Sequence, residues 1–401
     1  MTARSAAARE LHLERLLRVG TCLAQCGYGA QVAQLAATAR AFRADAQLWE
    51  AHARHRGPGG RTALMHAAWE GDVPRTLFLL ARGADVEAAD ADDGATALMS
   101  ACDAGYCEVA RILVERGGAN VNAVSAYGST ALIFACDMGN LETVRFLVER
   151  GGANVNAGTA ADGTTAFMFA SQNGHLRIAR ILVERGGANV NAAETTDGKT
   201  ALMYASNEGH LEIVRFLVEL GGINVNAATT NDGMTSLMWS SKYGLLEIAR
   251  FLVERGGANV NAGTTSGETA LMLASDKGHL EIARFLVERG GANVNAATTD
   301  DGFTALMWAT TNGHLEVVRL LVERGGANVN AANTIDGTTA LMLASHNGSL
   351  ETVCFLLTRG ADRNALSHQG WTAFQFARNF PLVQAALVRP APAHAHACAI
   401  V

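Results

Sequence analysis

One seven-residue segment, Gly-Gly-Ala-Asn-Val-Asn-Ala, recurs along the chain and limits what this sequence can fold into. It occurs unchanged at residues 117–123, 151–157, 186–192, 256–262, 290–296 and 325–331, and with Ile223 in place of alanine at 221–227. A second marker, a glycine shortly before Thr-Ala-Leu-Met or a close variant, returns every 33 to 35 residues. It lies at Gly60, Gly94, Gly128, Gly163, Gly198, Gly233, Gly267, Gly302, Gly337 and Gly370. A period in this range predicts stacked copies of one supersecondary unit, here called repeats 1 to 10 and counted from these glycines.

Repeat 5 shows what each copy is expected to form. Thr200 is a preferred N-cap residue for a short first helix, and Gly209 suits the positive φ angle at which that helix would end. Residues 210–220 carry an apolar stripe at helical spacing and predict a second helix. Gly221 and Gly222 end it, and the turn-forming residues that follow predict an extended loop or hairpin. Such a pair of helices cannot bury its own apolar stripe, so it needs a neighbour on each side.

These features together resemble the ankyrin repeat family, whose unit carries a Thr-Pro-Leu-His signature followed by two helices. The corresponding tetrad is Thr-Ala-Leu-Met at 62–65, 96–99, 200–203, 269–272, 304–307 and 339–342, with variants at 130–133, 165–168, 235–238 and 372–375. The resemblance implies an all-α repeat solenoid with a hairpin or loop between helix pairs, preceded by a short helical segment. Ala or Ser replaces the family proline, and mostly Met replaces the family histidine. We therefore expect apolar contacts to contribute more to cohesion than in the family.

The sequence divides into three parts: a helical segment at 1–57, the repeat domain at 58–390 and a flexible tail at 391–401. The first part weakly resembles an F-box, although the usual Leu-Pro opening is missing. An F-box docks on the adaptor of a cullin-type ubiquitin ligase, and the adaptor-binding candidates here are Leu35, Phe42, Leu48 and Trp49. The alternative, which we favour, is a helical cap over the first repeat. In the tail, Cys398 begins a C-a-a-X prenylation frame, which we interpret as accidental because the final residue is valine.

The residues that differ between repeats are the candidates for binding. In the resembled family, partners bind at the hairpin tips and on the concave side of the first helices. We define the first-helix face as the residue after each tetrad and the residue four positions later, which share one side of a helix. The predicted partner-binding residues on this face and at the hairpin tips are Phe169, Lys199, Tyr204, Met234, Trp239, Tyr243, Lys277, Phe303, Trp308 and Asn312. The alternative is that the aromatic residues after the tetrads fill space between repeats; Met234 and Phe303 are expected at exposed hairpin tips.

No catalytic, metal or cofactor site is predicted. The sequence contains no nucleophile elbow, P-loop or His-Glu-x-x-His motif, and Cys22 and Cys26 have no second pair at zinc-ligand spacing. Histidines recur at repeat spacing, at His175, His210, His279 and His314. They could form a metal array, but the family uses this position to cap the second helix, and we favour that interpretation.

Charge and hydropathy narrow the partner class. Residues 1–57 carry eight arginines and four acids, a balance of +4, so the total of −6 leaves −10 for the rest of the chain. Nucleic-acid binding needs clustered positive charge, so it is not expected. No apolar run is long enough to span a membrane. We therefore predict a monomeric, non-catalytic scaffold that binds a protein partner in the cytoplasm, with the nucleus as the alternative location. The alternative function is a substrate-recognition subunit of a cullin-type ubiquitin ligase.

Overall fold

Paired short helices make up the fold, which a computed structural model describes for residues 60–388. In this range the chain forms twenty helices, two for each repeat. They are α1 Ala63–Glu70, α2 Val73–Ala81, α3 Ala97–Asp103, α4 Cys107–Glu115, α5 Ala131–Asp137, α6 Leu141–Glu149, α7 Ala166–Gln172, α8 Leu176–Glu184, α9 Ala201–Glu208, α10 Leu211–Leu220, α11 Ser236–Lys242, α12 Leu246–Glu254, α13 Ala270–Asp276, α14 Leu280–Glu288, α15 Ala305–Thr311, α16 Leu315–Glu323, α17 Ala340–His346, α18 Leu350–Thr358, α19 Ala373–Phe376 and α20 Pro381–Val388.

The chain divides into two compact units between Ala131 and Leu132. The first contains α1 to α4, which belong to repeats 1 and 2, and the second contains the helices from α5 onwards, which belong to repeats 3 to 10. Inside each unit a first helix packs on the second helix of its own repeat and on the first helix of the next repeat. The predicted all-α repeat solenoid is therefore confirmed within each unit. The hairpins predicted between helix pairs form as single antiparallel bridges, for example between Ala228 and Thr235.

Each first helix begins at the threonine of its tetrad. In repeat 6, the Thr235 hydroxyl accepts from the Met238 N–H at 3.4 Å, and the Thr235 N–H donates to the Met238 sulfur at 3.4 Å. This reciprocal pair is a capping box in which a thioether takes the acceptor role usually held by Glu or Gln. Met238 is also buried. The methionine that replaces the family histidine therefore fills the core and satisfies a helix-terminal N–H at the same time.

Repeat-to-repeat cohesion comes first from apolar burial. In repeat 5, Leu202, Met203 and Ala205 of α9 and Val214 and Leu217 of α10 are all fully or almost fully buried. Burying a side chain of leucine or valine size stabilises the folded state by about 1.5–3 kcal/mol. Because the same positions are buried in the neighbouring repeats, the core is one continuous layer within each unit.

The histidines at the start of the second helices do not cap those helices, so that prediction is wrong. His210 occupies the N-cap position of α10 without a side-chain cap bond. Its Nε2 lies 2.8 Å from the Gln172 carbonyl of the preceding repeat, and it must be the donor because a carbonyl only accepts. The ring also lies against Gly174, where an added Cβ would approach it to 2.7 Å and where φ is +77°. His175, His279 and His314 make the same kind of bond to the carbonyls of Asp137, Lys242 and Asp276.

The recurring heptapeptide joins successive repeats through its second asparagine. The Asn226 side-chain oxygen accepts from the Asn259 N–H at 2.7 Å, and its amide nitrogen donates to the Gly257 carbonyl at 3.3 Å. The same two bonds to the following repeat are made by Asn156, Asn191, Asn261, Asn295 and Asn330. We call this series the asparagine ladder. The heptapeptide recurs because each copy has two roles. Its second asparagine bonds the backbone of the next copy, and its own backbone groups bond the asparagine side chain of the previous copy.

Replacing Asn226 with alanine should lower the free energy of unfolding by about 1–2 kcal/mol, because both bonds to the next repeat are lost. Asn226→Asp should cost about half as much, since a carboxylate still accepts from the Asn259 N–H but cannot donate to the Gly257 carbonyl. Urea unfolding followed by circular dichroism measures the shifts. Asn231→Ala is the matched control, because Asn231 is exposed and has no side-chain hydrogen bond in the described part of the chain. Equal midpoints for all the variants and the wild type would contradict a stabilising ladder.

Candidate functional site

The predicted partner-binding residues divide into three groups by exposure. Tyr243, Lys277 and Asn312 are exposed, and Met234 is buried. The remaining six are half-buried: Phe169, Lys199, Tyr204, Trp239, Phe303 and Trp308. The sequence left two interpretations of the aromatic residues after the tetrads: they fill space between repeats, or they are exposed for binding. Neither is complete, because the neighbouring repeats cover each of these rings only partly.

The expectation that Met234 is an exposed hairpin tip is wrong. Its side chain is only 5% exposed. Met234 belongs to a folded hairpin in which both its backbone groups pair with Thr229: its N–H donates to the Thr229 hydroxyl at 2.7 Å, and its carbonyl accepts from the Thr229 N–H at 3.0 Å. Phe303 has the same backbone pairing with Thr298 and is half-buried. The residue after the repeat glycine is therefore part of the folded hairpin.

Trp239 and Tyr243 form an aromatic pair on this face. Their ring centres are 6.1 Å apart and their planes differ by 5°, so the rings are stacked as their four-residue spacing predicts. Tyr243 is 50% exposed. The Lys242 ammonium lies 5.3 Å from the Trp239 ring centre and 5.8 Å from that of Tyr243, while the Lys199 ammonium lies 6.0 Å from the Trp239 ring centre. These cation–π distances fix two positive charges beside the stack.

A groove of about 280 Å³ opens beside this stack. Its lining comes from three consecutive repeats, with Gln172 from repeat 4, Tyr204 and Glu208 from repeat 5, and Trp239 and Tyr243 from repeat 6. A second aromatic pair lies in repeat 8, where the ring centres of Phe303 and Trp308 are 5.2 Å apart. The indole N–H groups of Trp239 and Trp308 are buried and have no hydrogen-bond partner within residues 60–388.

Several of the predicted polar residues are already bound within the chain. The Lys199 ammonium lies 3.0 Å from an Asp197 carboxylate oxygen, and the Lys277 ammonium lies 3.0 Å from Asp276. The Asn312 side-chain amide donates to the Asp276 carboxylate at 2.8 Å, across the boundary between repeats 7 and 8. The charge of the two lysines and the amide of Asn312 are therefore already partly used within the chain, and only partly available to a partner.

Sequence analysis missed a buried acid under the groove. Glu194 is 6% exposed and accepts from the Tyr204 hydroxyl at 3.2 Å. Burial, the charge of Glu194 and this hydrogen bond raise the pKa of Tyr204 from 10.0 to about 12. The signal in the sequence is a departure from the adjacent copies, because the equivalent hairpin positions on either side hold Thr159, Thr229, Thr264 and Thr298.

The remaining predictions concern other parts of the chain or other kinds of site. Leu35, Phe42, Leu48, Trp49 and Cys398 lie outside the described residues. Within residues 60–388, no three His, Cys, Asp or Glu side chains are grouped so that they could hold a metal ion. The same part of the chain has no helix with the length and apolar character needed to cross a bilayer.

The raised pKa of Tyr204 should be visible in the tyrosinate absorbance at alkaline pH. The wild type should show an ionisation step near pH 12 that Tyr204→Phe removes and Glu194→Gln shifts to lower pH. Because the folded state holds this proton more tightly than the unfolded chain, the associated stability is present below pH 10 and is lost as the pH rises towards about 12. A late step that persists unchanged in Tyr204→Phe would show that another tyrosine is responsible.

Comparison with known families agrees with the geometry. A model described as ankyrin repeats (3 copies) matches residues 13–125, 64–159, 117–194, 152–229, 187–264 and 257–333, and a model described as ankyrin repeats (many copies) matches residues 312–357. The first of these matches begins inside the N-terminal segment. A search of curated proteins found no match to the chain. Together with the paired helices, threonine caps and hairpins, these matches show that the chain belongs to the ankyrin repeat family.

Proposed function

We propose that this chain is a non-catalytic scaffold that binds a protein partner on the first-helix face of repeats 4 to 8. Ankyrin repeats are in general protein–protein interaction modules. The observation that supports this particular face is the stacked pair of Trp239 and Tyr243, which stands half-exposed beside a groove built from three repeats. Trp and Tyr are the residues most often found at the energetic centre of protein interfaces.

The way this face is held favours binding. Trp239 lies on α11, whose start is fixed by Thr235 and Met238, and Tyr243 is the residue directly after this helix. The two rings are restrained by their mutual stacking. Side chains that are already ordered lose little conformational entropy on association, so more of the contact energy appears as affinity. The face needs no bound cofactor for this role. We propose that the protein acts as a monomer in the cytoplasm or the nucleus.

A second candidate function comes from the N-terminal segment. Leu35, Phe42, Leu48 and Trp49 are arranged as in the later half of an F-box. In that case the first-helix face would hold a substrate while residues 1–57 dock on the adaptor of a cullin-type ubiquitin ligase. The two candidates share the same binding face and differ only in whether the N-terminal segment has a partner of its own.

The double variant Trp239→Ala/Tyr243→Ala should lose the partner. Because central aromatic residues of an interface typically contribute more than 1.4 kcal/mol, we expect binding to weaken at least about tenfold. Quantitative mass spectrometry of proteins captured by the intact chain from a cell extract measures this. Glu281→Ala/Arg284→Ala is the matched control, since it removes an exposed ion pair with a 3.6 Å separation on the second helix of repeat 7. Equal capture by the wild type and both variants would refute binding on the first-helix face.

The F-box alternative is tested in the same capture experiment. The intact chain with Leu35→Ala, Phe42→Ala and Trp49→Ala should lose a cullin adaptor while keeping the proteins that depend on Trp239 and Tyr243. If the wild type captures no cullin adaptor, the F-box alternative is rejected and the repeats alone carry recognition.

A further inference from the structure

Lysine is rare in this chain and is confined to one region. Only three of the 32 basic residues are lysines: Lys199, Lys242 and Lys277. They fall in repeats 5, 6 and 7, one in each, at or next to the first-helix face. All three therefore lie in the region that contains the Trp239–Tyr243 stack.

The three lysines differ in whether their charge is already neutralised. Lys199 is paired with Asp197 and Lys277 with Asp276, each at 3.0 Å. Lys242 has no carboxylate within ion-pair distance among residues 60–388 and is held instead by the faces of Trp239 and Tyr243. An unpaired ammonium above two stacked rings is a fixed positive charge that can still accept an anionic partner.

The two charged residues that line the groove both belong to repeat 5. Lys199 is paired with Asp197, and one carboxylate oxygen of Glu208 accepts from the Asn207 amide at 2.6 Å. Lys242 lies at the end of α11 in repeat 6, and its ammonium is beside the Trp239 and Tyr243 rings that form the repeat 6 edge of the groove. The unpaired positive charge is therefore at this edge, and it attracts an anionic side chain there.

We propose, on the basis of the function proposed above, that the repeat 6 edge of this groove, formed by Trp239 and Tyr243 with Lys242 beside them, binds a protein segment through an Asp or Glu side chain. The carboxylate pairs with Lys242, and a neighbouring apolar side chain of the same segment packs on the exposed ring of Tyr243. Lys242 keeps its cation–π contacts in this arrangement, because the ammonium has three donors and only one side of it faces the rings.

Other partner chemistries fit the groove less well. A basic segment would meet the unpaired charge of Lys242, and the ring faces that a partner cation would need are already beside the protein's own ammonium groups. A nucleic-acid strand would have to approach a chain whose residues beyond 57 carry −10. A carboxylate is the one charged group that the groove accepts at Lys242 without displacing an existing contact.

Selection of a random peptide library displayed on phage against the intact chain tests this proposal. Enriched peptides should contain an acidic residue next to an apolar one, and synthetic copies should bind the wild type in a fluorescence anisotropy titration. Lys242→Gln should weaken that binding about tenfold. The control Arg284→Gln also removes one positive charge, but on the second helix of repeat 7 and outside the first-helix face, and it should bind like the wild type. Thermal unfolding of both variants confirms that they are folded.

Three results would overturn the inference: enriched peptides without acidic residues, equal binding to Lys242→Gln and wild type, or no enrichment at all. Each can be separated from failure of the proposed function by the capture experiment. If proteins captured from the extract still depend on Trp239 and Tyr243, the face binds a partner by other chemistry and only the acidic segment is rejected. If capture is independent of those rings, the proposed function itself fails.

Discussion

Dependence of each repeat on its neighbour is the constraint from which the rest of the structure follows. A pair of helices of four to ten residues cannot enclose its own apolar side chains. Burial therefore takes place between repeats, and the polar groups at the ends of these short helices must also find partners there. The histidine bonds supply partners for carbonyls at the ends of the first helices, and the asparagine ladder joins the loops that follow the second helices, while the threonine–methionine box satisfies the start of the first helix. Apolar burial provides most of the free energy, and the polar bonds fix the register in which it is gained.

The difference between contacts within a repeat and contacts between repeats explains how much of the structure the sequence predicts. The repeat period, the threonine caps, the glycine turns and the Trp239–Tyr243 stack are local or periodic properties, so the chain alone predicts them. The features that the sequence analysis predicted wrongly depend on the adjacent repeat or on hairpin pairing. Met234 is part of a hairpin in which both its backbone groups pair with Thr229, and His210 bonds the carbonyl of Gln172. A single repeat, considered alone, contains neither neighbour, so no pattern within it indicates these contacts.

The same reasoning separates scaffold from recognition on the first-helix face. Lys277 and Asn312 vary between repeats and looked free for binding, yet both bond Asp276. Variation between repeats is therefore necessary for a recognition residue but not sufficient. What distinguishes Lys242 is that its ammonium has no carboxylate partner among residues 60–388, and what distinguishes Tyr243 is that half of its surface is exposed.

Near-identical repeats have a consequence for specificity. Where every copy presents the same groups, a partner can shift by one repeat at almost no cost in free energy, and recognition has no defined register. A site becomes unique only where successive repeats differ, and here the departures coincide: Glu194 in place of threonine, Trp239 with Tyr243 one turn later, and the unpaired Lys242. Glu194 lies in the hairpin that precedes α9, and the other three residues lie at α11 of the next repeat. Because these elements are neighbours in the solenoid, they can define a single register for a bound segment. The uniform repeats on either side then contribute rigidity to that position.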